Sequence, residues 1–309
     1  MNKRFLLLIS SILFSSNIVS AQSNLLNAKI PEEIGQKTAA QLEADNDKPL
    51  PYPWINDRDV LFGKRVWEIV DLDERVNFPF YYSIEENLGS DRKSLFNVLL
   101  DGIKNGEITD VYADSYFQNK KTLEEILSSF KFSELTADGL EVVNTFGGGS
   151  RSEEELKAQG ILEEWHYNNS EVTPADVVQY KIVGLWYFDA MQAELKYRIL
   201  GIAPLAVDAL SKARGMEDAT SELFWVFYPS VRDLLHESKA FNDKNSAVPF
   251  SFDHLLNSRR FSSVIYKEEN VYGDRNIDEY VIENAQMQLL EAERIKEKIR
   301  DIEQDMWNY

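Results

Sequence analysis

Two neighbouring runs, residues 177–188 and 194–202, constrain this chain more than anything else in it. In the second, Leu195, Tyr197 and Ile199 alternate with Glu194, Lys196 and Arg198. That period of two belongs to a strand with one face in a core and the other toward water. Asp189 to Gln192 supply a turn between the runs, so the pair is predicted to be an antiparallel hairpin.

Other local signals place further elements around it. Residues 65–72 alternate imperfectly and read as a strand, and 78–82 as a second extended piece. Residues 95–103 have helical spacing, with Ser90 or Asp91 as cap and Gly106 as stop. Residues 108–112 suggest a short strand. Thr122 and Glu125 form a capping box before a helix to about Phe130. Phe146-Gly147-Gly148-Gly149-Ser150 reads as a joint, and Ser152 with Glu155 as a second capping box opening a helix to about Trp165. Residues 223–228 read as a buried strand closed by Pro229, with a helix over 231–238. Ser251 caps a helix through Leu255 and Leu256, and 261–266 is a last strand. From Ile277 onward there is no glycine or proline, and Ile282, Ala285, Leu289, Ala292, Ile299, Ile302 and Met306 recur at spacings of three, four or seven. This predicts one amphipathic helix over 277–307, its narrow stripe packed on the chain's own sheet or on a partner helix. Strands and helices mix without a βαβ rhythm, which gives an α+β fold: a largely antiparallel mixed sheet, flanking helices and a long C-terminal amphipathic helix.

The N-terminal part divides differently. Residues 1–21 have the form of a secretory leader: Lys3 and Arg4, an apolar stretch to Phe14, then Val19-Ser20-Ala21, with cleavage expected between Ala21 and Gln22. The apolar stretch is shorter than the ~20 residues a membrane span needs. No cysteine follows it, so a lipoprotein anchor is not expected. Residues 22–57 are polar and then proline-rich, with Pro49, Pro51 and Pro53 at alternate positions favouring an extended backbone. This arm either lies over the surface, reaches a partner or serves as a linker. Residues 58–309 form the folded α+β domain, including the helix 277–307.

Composition excludes several chemistries. Cysteine is absent, which removes disulfides, thiol nucleophiles and cysteine metal sites. The net charge of −19 disfavours nucleic acid and anionic lipid surfaces. His166, His236 and His254 stand at no metal-binding spacing to one another, and His236-Glu237 lacks the second histidine of a zinc-protease helix. Acidic pairs such as Glu85-Glu86, Glu124-Glu125 and Glu163-Glu164 read as solvated faces or first helical turns. The Gly147–Gly149 run lacks a P-loop lysine, and Glu153 to Glu155 would repel phosphate there. No Gly-x-Ser-x-Gly elbow occurs. No catalytic residue, cofactor site or metal site is therefore expected. The aromatic runs Trp186-Tyr187-Phe188 and Phe224-Trp225-Val226-Phe227-Tyr228 remain. They belong either to a sheet covered by helices or to an interface that holds a neighbour.

A series of blocks then resembles one family. Asp47-Lys48-Pro49-Leu50-Pro51-Tyr52-Pro53-Trp54 and the run from Arg65 to Tyr82 resemble the opening of the GldN/PorN family. Leu95-Phe96 through Gly106-Glu107-Ile108-Thr109, Tyr180-Lys181-Ile182 with Trp186-Tyr187-Phe188-Asp189, and Arg198-Ile199-Leu200-Gly201-Ile202-Ala203-Pro204 follow in order. So do Leu223 to Pro229 with Arg232, Ser251-Phe252-Asp253, Arg260 to Ile265 and Lys267 to Tyr272. The resemblance implies a periplasmic component of type IX secretion and gliding motility, held at the outer membrane through a partner. It implies a GldK/PorK-like lipoprotein and a GldM-like motor shaft as partners in a hetero-oligomeric ring, with no direct membrane insertion, no nucleic acid and no enzymatic activity. Tyr52 and Trp54 are the candidate partner-binding residues. The competing class is a periplasmic carbohydrate-active enzyme or small-ligand binder with an aromatic groove.

Overall fold

The expected hairpin forms the middle of the structure. A computed structural model of the chain describes residues 47–85, 93–147, 157, 161–214, 219–242, 250–282 and 284–306. In chain order its elements begin with β1 (Val60–Asp71), α1 (Phe78–Tyr81), α2 (Leu95–Lys104), β2 (Val111–Tyr112), α3 (Leu123–Ser129), β3 (Lys131–Leu135) and α4 (Ala137–Gly147). Next come β4 (Tyr167–Glu171), β5 (Val177–Asp189), β6 (Glu194–Val207), α5 (Ala209–Ala213), β7 (Thr220–Glu222), β8 (Trp225–Phe227) and α6 (Tyr228–Glu237). The last are β9 (Lys239–Ala240), β10 (Phe250–Ser251), α7 (Phe252–Asn257), β11 (Val264–Glu268), α8 (Ile277–Tyr280) and α9 (Ala285–Met306). The fold is α+β.

The main sheet runs β11-β1-β5-β6-β8-β2, with β7 also on β6. All its pairings are antiparallel. The hairpin pairs from Asp189↔Glu194 to Val177↔Ala206, with a register shift between Val177 and Gln179 and a bulge between Val183 and Gly184. That bulge admits a close approach: a Cβ on Gly184 would lie 2.2 Å from the Tyr197 ring and hydroxyl. The first long strand, β1, sits between β5 and the last strand, β11. Sheet order is thus set by pairings far apart in sequence. Two small sheets, β9–β10 and β3–β4, lie outside this path.

Both faces of the main sheet carry buried apolar clusters. One face holds two, since Val66 and Val70 stand on the same side of β1: Val70, Ile182, Ile199 and Ile202 join Leu95 and Leu99 of α2, Leu235 of α6 and Phe252 of α7, and further along Val66 and Ile265 pack with Ile277, Ala292, Ile295 and Ile299 from α8 and α9. On the other face Trp67, Val183, Ala203 and Trp225 pack with Tyr112, Phe117 and Tyr266. Each fully buried Ile or Leu contributes about 1.5–3 kcal/mol through removal of apolar surface from water. The C-terminal helix therefore packs on its own sheet over its middle turns, while Met287, Leu289 and Leu290 stay exposed.

Several expectations change. Residues 78–82 do not extend; Phe78–Tyr81 is a helical turn with Pro79 in its first positions, where a missing N–H costs nothing. The cap of α2 is Ser94, whose side chain accepts from the Asn97 N–H, rather than Ser90 or Asp91. Pro229 does not end a strand so much as open α6, which starts at Tyr228. The last strand is shifted to Val264–Glu268. The single helix over 277–307 is divided: α8 ends at Tyr280, and Asn284 Oδ1 accepts from the Met287 N–H at 3.0 Å, restarting the helix. The capping box of Thr122 and Glu125 forms as expected. The joint at 146–150 falls partly, and the box at Ser152 and Glu155 wholly, outside the described residues, as does the leader with Ala21 and Gln22.

Candidate interaction site

Prolines decide how residues 47–54 lie on the domain. Lacking an N–H, Pro49, Pro51 and Pro53 cannot complete a sheet ladder, and this segment makes none. Side chains hold it instead. Asp47 meets His236 Nε2 at 2.8 Å and Lys239 Nζ at 3.6 Å, at the end of α6. The Tyr52 ring lies between two guanidinium groups, Arg232 at 4.1 Å and Arg198 at 4.6 Å. Its hydroxyl donates to Asn257 Oδ1 at 2.8 Å, and Arg198 Nη2 donates to the Pro53 carbonyl at 3.1 Å. Burial pushes the Tyr52 hydroxyl up to about 12, against the opposing pull of Arg232. Leu50 and Trp54 point away from this clamp and are 82% and 83% exposed.

The clamp stands on a buried polar cluster. Asp253 lies in the first turn of α7, whose cap is Ser251: its hydroxyl accepts from the His254 N–H. Arg232 reaches Asp253 through two bonds, Nε to Oδ1 at 2.9 Å and Nη2 to Oδ2 at 3.1 Å. Oδ1 also accepts from the Tyr228 hydroxyl at 2.7 Å and from Asn257 Nδ2 at 2.8 Å. Burial and the neighbouring Asp253 push the Tyr228 hydroxyl far above its ordinary value, so it remains a donor. The spacing of four between Tyr228 and Arg232, and between Asp253 and Asn257, puts each pair on one helix face. That regularity is the signal in the sequence that would have found the cluster.

A second clasp lies across the sheet edge. Glu68 of β1, 1% exposed, receives Arg259 Nη1 at 3.1 Å and Nη2 at 2.9 Å, and the Ser263 hydroxyl at 2.5 Å. The Arg259 guanidinium rests on Tyr197 at 4.1 Å and near Trp186 at 5.2 Å. Asn77 donates to the carbonyls of Asp71 and Ser262 and accepts from the Ser262 N–H. Its only sequence signal is Glu68 in an otherwise apolar run.

The buried carboxylates are thus each committed to a cation: Glu68 to Arg259, Asp253 to Arg232, and Asp189 to Lys196 at 3.0 Å. The bond from Lys196 holds the Asp189 carboxyl below its ordinary value. Acid–base work on a substrate needs a carboxyl with a free oxygen facing a cleft, and Asp253 offers none. The histidines are spread apart. His166 Nδ1 accepts from the Glu163 N–H, His236 binds Asp47, and His254 stacks near Phe250. Among the described residues no group of three or more His, Cys, Asp or Glu side chains is placed to hold a metal ion. No described helix is long and apolar enough to cross a membrane.

The aromatic strands resolve toward the core. Phe224, Trp225 and Tyr228 are fully buried, Tyr187 and Phe188 nearly so, and Trp186 packs against Tyr197 and the cluster under α9. Trp186 and Phe227 are half-buried. The open concavity lies elsewhere, a groove of about 850 Å³ floored by Phe78, Pro79, Phe250, Leu255 and Phe261, with Arg75 and Arg260 in its lining. Sequence reading missed it because its walls come from α1, α7 and the loops after β9 and before β11.

The two residues expected to bind partners lie in different surroundings. Tyr52 is held inside the chain's own contacts, and Trp54 is left out in solvent. A scan against family models matches residues 55–308 to the family described as "Gliding motility associated protein GldN". No curated protein matches the chain.

Proposed function

Since the chain belongs to the GldN family of gliding-motility-associated proteins, we propose that it is a non-enzymatic structural subunit of a type IX secretion and gliding machinery. In this reading it works in the periplasm, joined to the outer membrane through a lipoprotein of the GldK/PorK kind. It contacts a GldM-like motor shaft and passes motor force on toward secretion and motility as part of a hetero-oligomeric ring.

The family match over residues 55–308 carries the reading. The clamp on Tyr52 supports it in a specific way: it fixes the proline-rich arm to the domain and leaves Trp54 exposed beside it. A tryptophan fixed in place but uncovered loses little freedom on binding, which is what a protein-binding anchor requires. The sealed ion pairs at Glu68, Asp189 and Asp253 support a scaffold rather than a catalyst. The competing sugar-binding reading loses most of its aromatic wall, since Tyr187, Phe188, Phe224, Trp225 and Tyr228 belong to the core.

The test is the native size and composition of the particle in gently solubilised cell envelopes, with the wild-type chain and with Trp54→Ala. A particle many times the 35.7 kDa of the chain, containing a lipoprotein and disturbed by Trp54→Ala, is expected. A free monomer sinks the ring; an intact ring with Trp54→Ala sinks Trp54 as the anchor.

A further inference from the structure

We propose that the groove between α1 and α7 is a docking site for a partner segment that carries carboxylates between apolar side chains. The inference rests on the reading of the chain as a partner-binding subunit, and it concerns a surface separate from Trp54.

Charge is what singles the groove out. The chain holds 52 acidic residues against 33 basic ones, so a surface depression chosen without regard to function is expected to be rimmed by carboxylates. Among the described lining residues there is no carboxylate, yet there are three arginines, Arg75, Arg259 and Arg260. Arg259 is spent on Glu68. Arg75 and Arg260 have no ion pair among the described residues; Arg260 only lies over the Phe250 ring at 5.0 Å. Two exposed guanidinium groups therefore stand beside an apolar floor. Arginine in that setting binds carboxylates through a fork of parallel donors and stays close to aromatic surface at little desolvation cost.

The floor sets the rest of the occupant. Phe78, Phe250 and Phe261 are half-buried, and Val76 at the lip is 59% exposed. A volume of about 850 Å³ exceeds a single side chain and suits a short stretch of polypeptide with aliphatic or aromatic residues, its acids reaching Arg75 and Arg260. The walls are fixed by the clasps already described. Asn77 ties α1 to Ser262, and Arg259 ties the loop before β11 to Glu68. The site is therefore preformed, which lowers the entropy cost of docking.

Two labelled peptides test this on the full chain by fluorescence anisotropy. One alternates leucine and phenylalanine with aspartate; in the other, lysine replaces aspartate. The overall field of so acidic a protein favours the lysine peptide, so a preference for the aspartate peptide reports the groove. The expected result is that preference, weakened about tenfold or more by Arg75→Glu with Arg260→Glu, and reversed toward the lysine peptide in the same variant. Val76→Asp, at an exposed lip position, is expected to block binding with an unchanged Tm. Preference for the lysine peptide by the wild type, no binding of either, or indifference to the charge reversal would overturn the proposal. So would an internal occupant: the chain has no cysteine, so Val76→Cys with Ile34→Cys reads it directly. A disulfide formed within the chain assigns the groove to its own arm, and one between chains to a second copy. Neither of these results bears on the native particle, so failure here and failure of the ring reading remain distinguishable.

Discussion

Tyr52 joins three segments of the chain that are far apart in sequence: the arm, α6 and α7. Its hydroxyl bond to Asn257 contributes about 1 kcal/mol, the usual net value, so Tyr52→Phe should lower stability to urea by about that amount. Tyr52→Ala also removes the ring between Arg198 and Arg232, worth about a further 1–2 kcal/mol at a partly desolvated site. It should make residues 47–58 cleavable by protease while the sheet stays intact, as mass mapping of the fragments would read. Beneath it, Asp253 is the more severe position. Its side chain is 6% exposed and that of Arg232 10%, so Asp253→Ala leaves a buried cation and the Tyr228 hydroxyl without their acceptor. A loss of about 3–5 kcal/mol is expected, measurable by chemical denaturation; a loss below 1 kcal/mol would mean that water reaches the cluster. At this scale the sequence singled out Tyr52 and Trp54 as a pair, but gave no sign that one lies in the chain's own contacts and the other in solvent. Proline-flanked aromatics carry no period that says which side is inward.

Elements were legible where a period was present. The hairpin of β5 and β6, the capping box of α3 and the cap of α7 lie where alternation and capping chemistry put them. The turn at 78–81 was not legible, since a short apolar aromatic run with a proline fits a strand or a first helical turn equally well. The division between α8 and α9 had a signal in Asn284, which was outweighed by the unbroken heptad-like spacing around it. The bulge of the hairpin offers a sharp test. Gly184→Ala would drive a methyl group into the Tyr197 ring, which also supports Arg259 at 4.1 Å. Overpacking of this kind costs about 1–3 kcal/mol, and thermal denaturation should show it. Gly63, where an added Cβ meets only Leu185 at 3.9 Å, is the control expected to show a far smaller change.

For the whole molecule, burial of tyrosines sets the response to alkali. The Tyr52, Tyr116 and Tyr280 hydroxyls are each pushed up to about 12, first by burial, and those of Tyr180, Tyr228 and Tyr266 further still. In the unfolded chain all would titrate near 10. Between about pH 10 and 12 the unfolded state therefore binds fewer protons than the native one, and stability falls as pH rises. Below pH 10 this contribution is fully present. Circular dichroism and tyrosinate absorbance should move together in that window, and Tyr52→Phe should soften the onset. Strand order was the part least legible, because it is decided by partners distant in the chain. It also carries a consequence in time. Strand β1 is completed by β11, Glu68 by Arg259, Asn77 by Ser262 and Tyr52 by Asn257. Contacts of such long sequence separation form slowly, and here the earliest folded segment waits for the last. Nascent chains stopped near residue 250 should be digested readily by protease while the finished chain resists. Until its final fifth or so has been synthesised, this polypeptide has no closed state to fall into, and it remains available to any factor that must hold it open.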